Sequence, residues 1–195
     1  MAYSEKHNLI FLHIPKNAGT SIIETLGMSH GHTDLENMNS LKEKHPTAKT
    51  FVVVRNPWDR VVSVYKYLRM KKSFWHSRDG CTKFGITPDH IKAQKCKDFK
   101  EFVHKIKNKD FKQAVHLRPQ TCWIPKNILV DHVLYYEQNL NEQFKIKLNV
   151  DIELKILNVS DKDNNKTYRD YYDEETKQII SDVYKSDIIQ LGYAF

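Results

Sequence analysis

Two short apolar runs constrain this chain more than anything else in it. Leu9-Ile10-Phe11-Leu12 and Phe51-Val52-Val53-Val54 are unbroken, and each runs straight into a turn that opens a helical pattern. Continuous β-branched and aromatic runs of this length read as strands covered on both faces, as in a parallel sheet. A third run, Val130 to Tyr136, precedes a helical pattern over Leu140 to Leu148. This cadence predicts an α/β protein of three layers, a central parallel sheet flanked by helices.

The rest of the chain fits that frame. Asn56 is suited to cap a helix with Pro57 at its first position, and Val61, Val62, Tyr65 and Leu68 give that helix an apolar face. Phe99, Phe102, Val103 and Ile106 recur at helical spacing, with lysines mostly between them. A last helix begins near Asp173, with acids in its first turn. Ser29 to Ser40 is polar, and 73–95 reads as irregular, broken by Gly80, Gly85 and Pro88. With 195 residues, 40% of them hydrophobic, the expectation is one domain over 1–195. No apolar run approaches the roughly 18 residues that cross a bilayer. Polar Met1 to Asn8 leads directly into the first strand, so neither secretory signal nor membrane span is expected, and the expected location is cytoplasmic. Three scattered cysteines suit neither a disulfide framework nor a four-ligand zinc site, and no metal is expected.

Chemistry concentrates at the two turns. In His13-Ile-Pro-Lys-Asn-Ala-Gly-Thr-Ser21 a small-residue turn opens a helix, which aims backbone N–H groups and the positive end of the helix dipole at one spot. Gly19 permits close approach of an anion, Thr20 and Ser21 add hydroxyls, and Lys16 adds a point charge. The lysine precedes the glycine by three residues, whereas a nucleotide triphosphatase loop places it directly after one. In the second turn Arg55 leaves the carboxyl end of a strand, where open α/β sheets collect ligands. Ser63 lies about two helical turns further on. An arginine fork and a hydroxyl suit a phosphate monoester. Taken singly, the first turn also fits an ordinary strand-to-helix connection with a surface lysine. Arg55 alone also fits an ion pair with Asp59 or Asp34.

Together, and in this order, the two stretches resemble the paired signatures of sulfotransferases that use 3′-phosphoadenosine-5′-phosphosulfate (PAPS). The similarity is greatest to the broad group containing carbohydrate and heparan-type enzymes. His116-Leu-Arg-Pro-Gln120 with Trp123 resembles that family's RPQ segment, and Tyr136-Glu137 its strand end, with Gln138 where asparagine is usual. Asn158-Val-Ser160, Tyr171-Tyr172-Asp173 and the closing Gly192-Tyr-Ala-Phe195 resemble its carboxyl-terminal region.

The resemblance implies a P-loop-like fold and sulfuryl transfer to a hydroxyl. It assigns Lys16, Asn17, Ala18, Gly19, Thr20 and Ser21 to the 5′-phosphosulfate, with Lys16 at the leaving group, and Arg55 and Ser63 to the 3′-phosphate. A lid from 158 onward would bring Lys166 and Tyr168 to the nucleotide. His116, Arg118 and Gln120, in an insert over 73–123, would face the acceptor. For the base, His32 ranks first and His30 second by position, with His116 third; Glu24 and Asp34 are carboxylate alternatives.

Charge bears on the acceptor. Lys66 to Lys112 holds 14 Lys/Arg against five Asp/Glu, a net of +9, within a chain of +7. Beside a solvated lysine-rich surface, the block allows a polyanionic glycan acceptor. Two other classes compete: a nucleotide kinase or NTPase with a degenerate loop, and a basic nucleic-acid-binding module. The missing Walker lysine weighs against the first. Sparse aromatic interleaving weighs against the second, so no nucleic-acid partner is expected. A fold that keeps binding but loses catalysis is a further alternative, and the presence of Lys16, Arg55 and Ser63 together weighs mildly against it.

Overall fold

A computed structural model describes residues 2–29, 35–70, 76–77, 84–112, 115–124, 130–155, 157 and 166–195. The elements begin with β1 (Tyr3–Ser4), β2 (Leu9–Leu12), α1 (Gly19–Leu26), α2 (Leu35–Lys44) and β3 (Lys49–Val54). Next come α3 (Pro57–Arg69), β4 (His76–Ser77), β5 (Phe84–Gly85), α4 (Pro88–Lys95) and α5 (Phe99–Lys107). The chain continues through β6 (His132–Tyr135), α6 (Leu140–Leu148), α7 (Glu174–Val183) and α8 (Lys185–Leu191). They divide between two compact units, each assembled from two stretches: Met1–Arg55 with Pro119–Leu157, and Asn56–Arg118 with Asn158–Phe195.

The first unit is α/β. Its sheet runs β1-β2-β3-β6, with β2, β3 and β6 mutually parallel and β1 antiparallel at the edge. Phe11 stands opposite Phe51, and Val53 opposite Leu134. Leu9, Phe11, Phe51 and Val53 form a core with Ile22 and Ile23 of α1 and Phe144 of α6. Alternate residues Ile10, Leu12, Val52 and Val54 are also fully buried, so both faces of the central strands are covered, as their unbroken apolar runs require. Phe51 stacks on Phe11 at 4.8 Å and meets Phe144 edge-on at 5.4 Å. Asp131 locks β6 to β3: its Oδ2 accepts from the Thr50 amide at 2.7 Å and the Thr50 hydroxyl at 2.8 Å. Helix α1 ends at Gly27, whose left-handed backbone (φ 64°) lets its N–H return to the Ile23 carbonyl.

The second unit is mainly helical, with β4 and β5 forming a two-residue parallel pair. Asn56 caps α3 by accepting from the Trp58 and Asp59 amides, and Pro57 sits where an N–H is not needed. Val61, Val64 and Leu68 of α3 share a core with Phe102 and Val103 of α5 and Ile180 of α7. Asp173 caps α7 through the Thr176 amide.

Three elements differ from the sequence reading. Helix α2 occupies part of the stretch read as polar, anchored by Met38 and Leu41, both buried. Helix α4 lies in the stretch read as irregular, with Pro88 opening it and the Thr87 amide donating to His90 Nδ1 at 3.3 Å. Strand β1 is formed by the polar amino-terminal residues. Among the described residues, no helix is long and apolar enough to cross a membrane.

Candidate active site

The first turn is shaped by its backbone. Lys16 (φ 71°) and Ala18 (φ 61°) are left-handed, while Asn17 between them is not. Alternation of this kind is the backbone pattern that can turn successive N–H groups toward one side and offer a concavity to an anion. Two non-glycine residues held left-handed cost on the order of 1 kcal/mol each, strain that concentrates at functional loops. Ala18 offers no side chain to cap α1, so the first turn of the helix faces the same concavity without a built-in acceptor. Gly19 has no room for a side chain. A Cβ there would overlap the His13 imidazole, which is itself stacked on Phe11 at 5.5 Å.

Arg55 closes the concavity from β3. Its Nη1 donates to the Lys16 carbonyl at 3.0 Å, and its guanidinium lies over the Tyr136 ring, 4.0 Å from the centroid. Tyr136 is fixed in turn, because its amide donates to the Val54 carbonyl at 2.9 Å. The Arg55 guanidinium and a strained backbone loop that carries Lys16 therefore meet beyond the carboxyl ends of adjacent parallel strands. An arginine fork beside a loop of this backbone shape is chemically suited to an anion.

Beneath the loop lies a buried amide network. Asn17 and Gln120 are fully buried. Asn17 Nδ2 donates to the Val53 carbonyl and to Gln120 Oε1, both at 2.7 Å. Gln120 Oε1 also accepts from the Arg55 amide at 2.9 Å, and its Nε2 donates to the Arg55 carbonyl at 2.7 Å. The sequence assigned Gln120 to the acceptor; here its carboxamide is engaged by the loop and the strand end.

The other assigned residues are distributed as follows. Thr20 is half-buried in the first turn of α1, and Ser21 Oγ accepts from the Leu157 amide at 3.3 Å. In the second unit, Ser63 is buried on α3. The His116 ring packs on Tyr67 at 5.0 Å, while Arg118 is exposed. Lys166 is exposed. Tyr168 receives a hydrogen bond from Asn56 Nδ2 at 3.4 Å and meets Phe195 edge-on. His30, His32 and Asp34, and Asn158 to Ser160, lie outside the described residues.

One residue of this architecture was not singled out in the sequence, and another was read there only as part of a strand end. Arg60, 1% exposed within the second motif, donates to the Arg118 carbonyl at 3.0 Å and the His116 carbonyl at 2.9 Å. It thereby shapes the backbone leading to Pro119. An arginine placed amid the apolar face of α3 is the signal that marks it. Tyr136 is the residue read as a strand end; its packing under the Arg55 guanidinium is what the sequence did not foretell. Burial and Arg60 also bear on Tyr184: desolvation pushes its phenol well above the ordinary range, Arg60 opposing, and its hydroxyl donates to the Leu117 carbonyl at 2.8 Å. Among the described residues, no group of three or more His, Cys, Asp or Glu could hold a metal ion.

The model of the Sulfotransferase family matches residues 1–194. No curated protein and no solved structure matches the chain.

Proposed function

The chain belongs to the sulfotransferase family, and on that premise we propose that it transfers a sulfuryl group from PAPS to a carbohydrate hydroxyl. The observation that carries this reading is the strained amide loop of Lys16 to Gly19 joined to Arg55 through the Lys16 carbonyl. A donor with phosphates on both the 5′ and 3′ positions needs two anion grips at a fixed separation, and this pair supplies them. Lys16 and the N–H groups of the loop bind the 5′ side. Arg55 binds the 3′-phosphate, and the family resemblance adds Ser63 to it.

In the transfer, the acceptor oxygen forms a bond to sulfur as the bond from sulfur to the 5′-phosphate oxygen breaks. Negative charge grows on that leaving oxygen, where Lys16 and the loop amides are suited to hold it. The acceptor proton goes to a base, which the resemblance assigns to His32, with His30 as the alternative. Positioning and electrostatics carry most of such a reaction, and a divalent metal is not required by it. The single family model running through both units supports reading 1–195 as one sulfotransferase domain, with Lys166 and Tyr168 in its lid and His116 and Arg118 at the acceptor.

Titration calorimetry with adenosine 3′,5′-bisphosphate tests the donor. Binding without Mg²⁺, and weaker binding of ATP, is the expected result. Equal affinity for the two, or dependence on Mg²⁺, would overturn it in favour of a nucleoside triphosphate enzyme. The net +9 of 66–112 supports a polyanionic acceptor. Turnover should fall with rising salt and with Lys95→Glu; an acceptor whose turnover ignores both removes the polyanion.

A further inference from the structure

We propose that Gln120 is a positioning residue that couples the two anion grips of the donor site, setting the distance between them through one buried carboxamide. The inference rests on the donor reading above and concerns how the site is held, which that reading leaves open.

The hydrogen bonds of this group are unusual in their targets. One carboxamide pairs with both the N–H and the C=O of Arg55, the pattern a neighbouring strand would use to continue the sheet. Gln120 lies in a short 3₁₀ turn, Gln120–Cys122, so a side chain substitutes for a strand at the point where β3 has ended. The same Oε1 accepts from Asn17, in the middle of the anion loop. Arg55 and Asn17 therefore share one acceptor atom. The backbone that carries the arginine and the backbone that forms the concavity are referenced to a single point.

The orientation of Asn17 is fixed by the same bonds. Its Nδ2 faces two acceptors, the Val53 carbonyl and Gln120 Oε1, and turning the amide over would set oxygen against oxygen twice. Its Oδ1 is buried with no hydrogen-bond partner among the described residues. A loop optimised for stability would not leave that acceptor unsatisfied. The donor side of the amide is kept at the expense of the acceptor side, consistent with a positional task. Gln120 contacts backbone and Asn17 rather than the ligand grips themselves, so it acts through them. A ligand with one phosphate can settle into either grip alone. A ligand with both must find them at the right separation, and only this second case depends on Gln120.

The test compares adenosine 3′,5′-bisphosphate with adenosine 5′-monophosphate and adenosine 3′-monophosphate on wild type, Gln120→Met and Gln120→Glu, by titration calorimetry, with melting temperatures recorded separately. The bisphosphate should lose roughly 10- to 100-fold in affinity, the scale of a small misplacement, while each monophosphate changes less than about threefold. A purely structural role would lower the melting temperature and leave the ratio of bisphosphate to monophosphate affinity intact, which overturns the proposal. Should Gln120→Met not fold, Gln120→Glu keeps an acceptor for the Arg55 and Asn17 N–H groups but sets a charged oxygen against the Arg55 carbonyl; its added charge acts on all three ligands, so the ratio of bisphosphate to monophosphate affinity is what is read. If both fail, Asn17→Ala severs the loop side and must show the same selective loss. Wild type that does not bind the bisphosphate removes the donor reading and this inference together. Wild type that binds, with an unchanged ratio in the variants, removes this inference alone.

Discussion

Gly19→Ala, made with and without His13→Ala, isolates one contact of the anion loop. A Cβ at Gly19 would overlap Nε2 and Cδ2 of the His13 ring and lie 2.7 Å from Cε1, so the ring or the loop must move. His13 has little room to yield, because its ring is stacked on Phe11, itself fully buried. Forced overpacking of this kind costs about 1–3 kcal/mol. In a chain of this size each kcal/mol lowers the melting temperature by about 2–4 °C, so Gly19→Ala should lose roughly 2–12 °C. Gly19 is the first residue of α1 and has no positive φ, so alanine itself is compatible with the backbone there. Once the ring is gone, the same substitution should therefore be neutral, or stabilising by about 0.4–1 kcal/mol through the unfolded chain. Thermal and urea melts of the four proteins give the cycle directly. If Gly19→Ala costs the same in both backgrounds, within about 0.5 kcal/mol, the imidazole is not what excludes a side chain.

Arg55→Lys keeps the charge but loses the planar fork over Tyr136 and the bond to the Lys16 carbonyl. Affinity for adenosine 3′,5′-bisphosphate should fall roughly tenfold or more, measured by calorimetry, from the loss of a charge-assisted hydrogen bond. Arg60→Met strips the donors from the carbonyls of His116 and Arg118 and should destabilise the fold by about 2–4 kcal/mol in urea melts, with Arg60→Lys recovering part of it. At Asp131, desolvation raises the carboxyl pKa, but hydrogen bonds from the Thr50 amide and hydroxyl outweigh it and leave the pKa lowered. Its stabilising effect is thus complete above the unfolded carboxylate value, about 3.9, and is lost as pH falls through the lower folded value. Asp131→Asn should cost about 1 kcal/mol at neutral pH and flatten the acid limb of the stability curve, followed by melts from pH 2 to 7.

Local pattern carried most of the fold. The strands at Leu9 and Phe51, the cap at Asn56, and helix α6 from Leu140 to Leu148 all follow from periodicity and capping within a few residues. Helix α2 does not, because its apolar residues are sparse: Met38 and Leu41 are buried in a sequence that is otherwise largely polar. Helix α4 buries Asp89, His90 and Ala93, a set with no apolar stripe to read. The turn between β2 and α1 was legible because its small residues and the helix that follows are contiguous in the chain. Gln120 was read as facing the acceptor; its bonds to Arg55 and Asn17 were not legible, since those partners lie 65 and 103 residues away and a side chain standing in for a strand leaves no periodic trace.

The division of the chain has a consequence for its synthesis. Each unit is left unfinished while the other is threaded through it: the first stops at Arg55 and resumes at Pro119, and the second stops at Arg118 and resumes at Asn158. On the ribosome, β3 therefore emerges well before its parallel neighbour β6, and Arg55 before the glutamine that pairs with its backbone. The nascent polypeptide must carry an exposed strand edge through that interval, with Asn17 still without its Gln120 partner. Truncated chains ending before Pro119 should be prone to edge pairing and aggregation, and no single continuous segment can be excised as either unit.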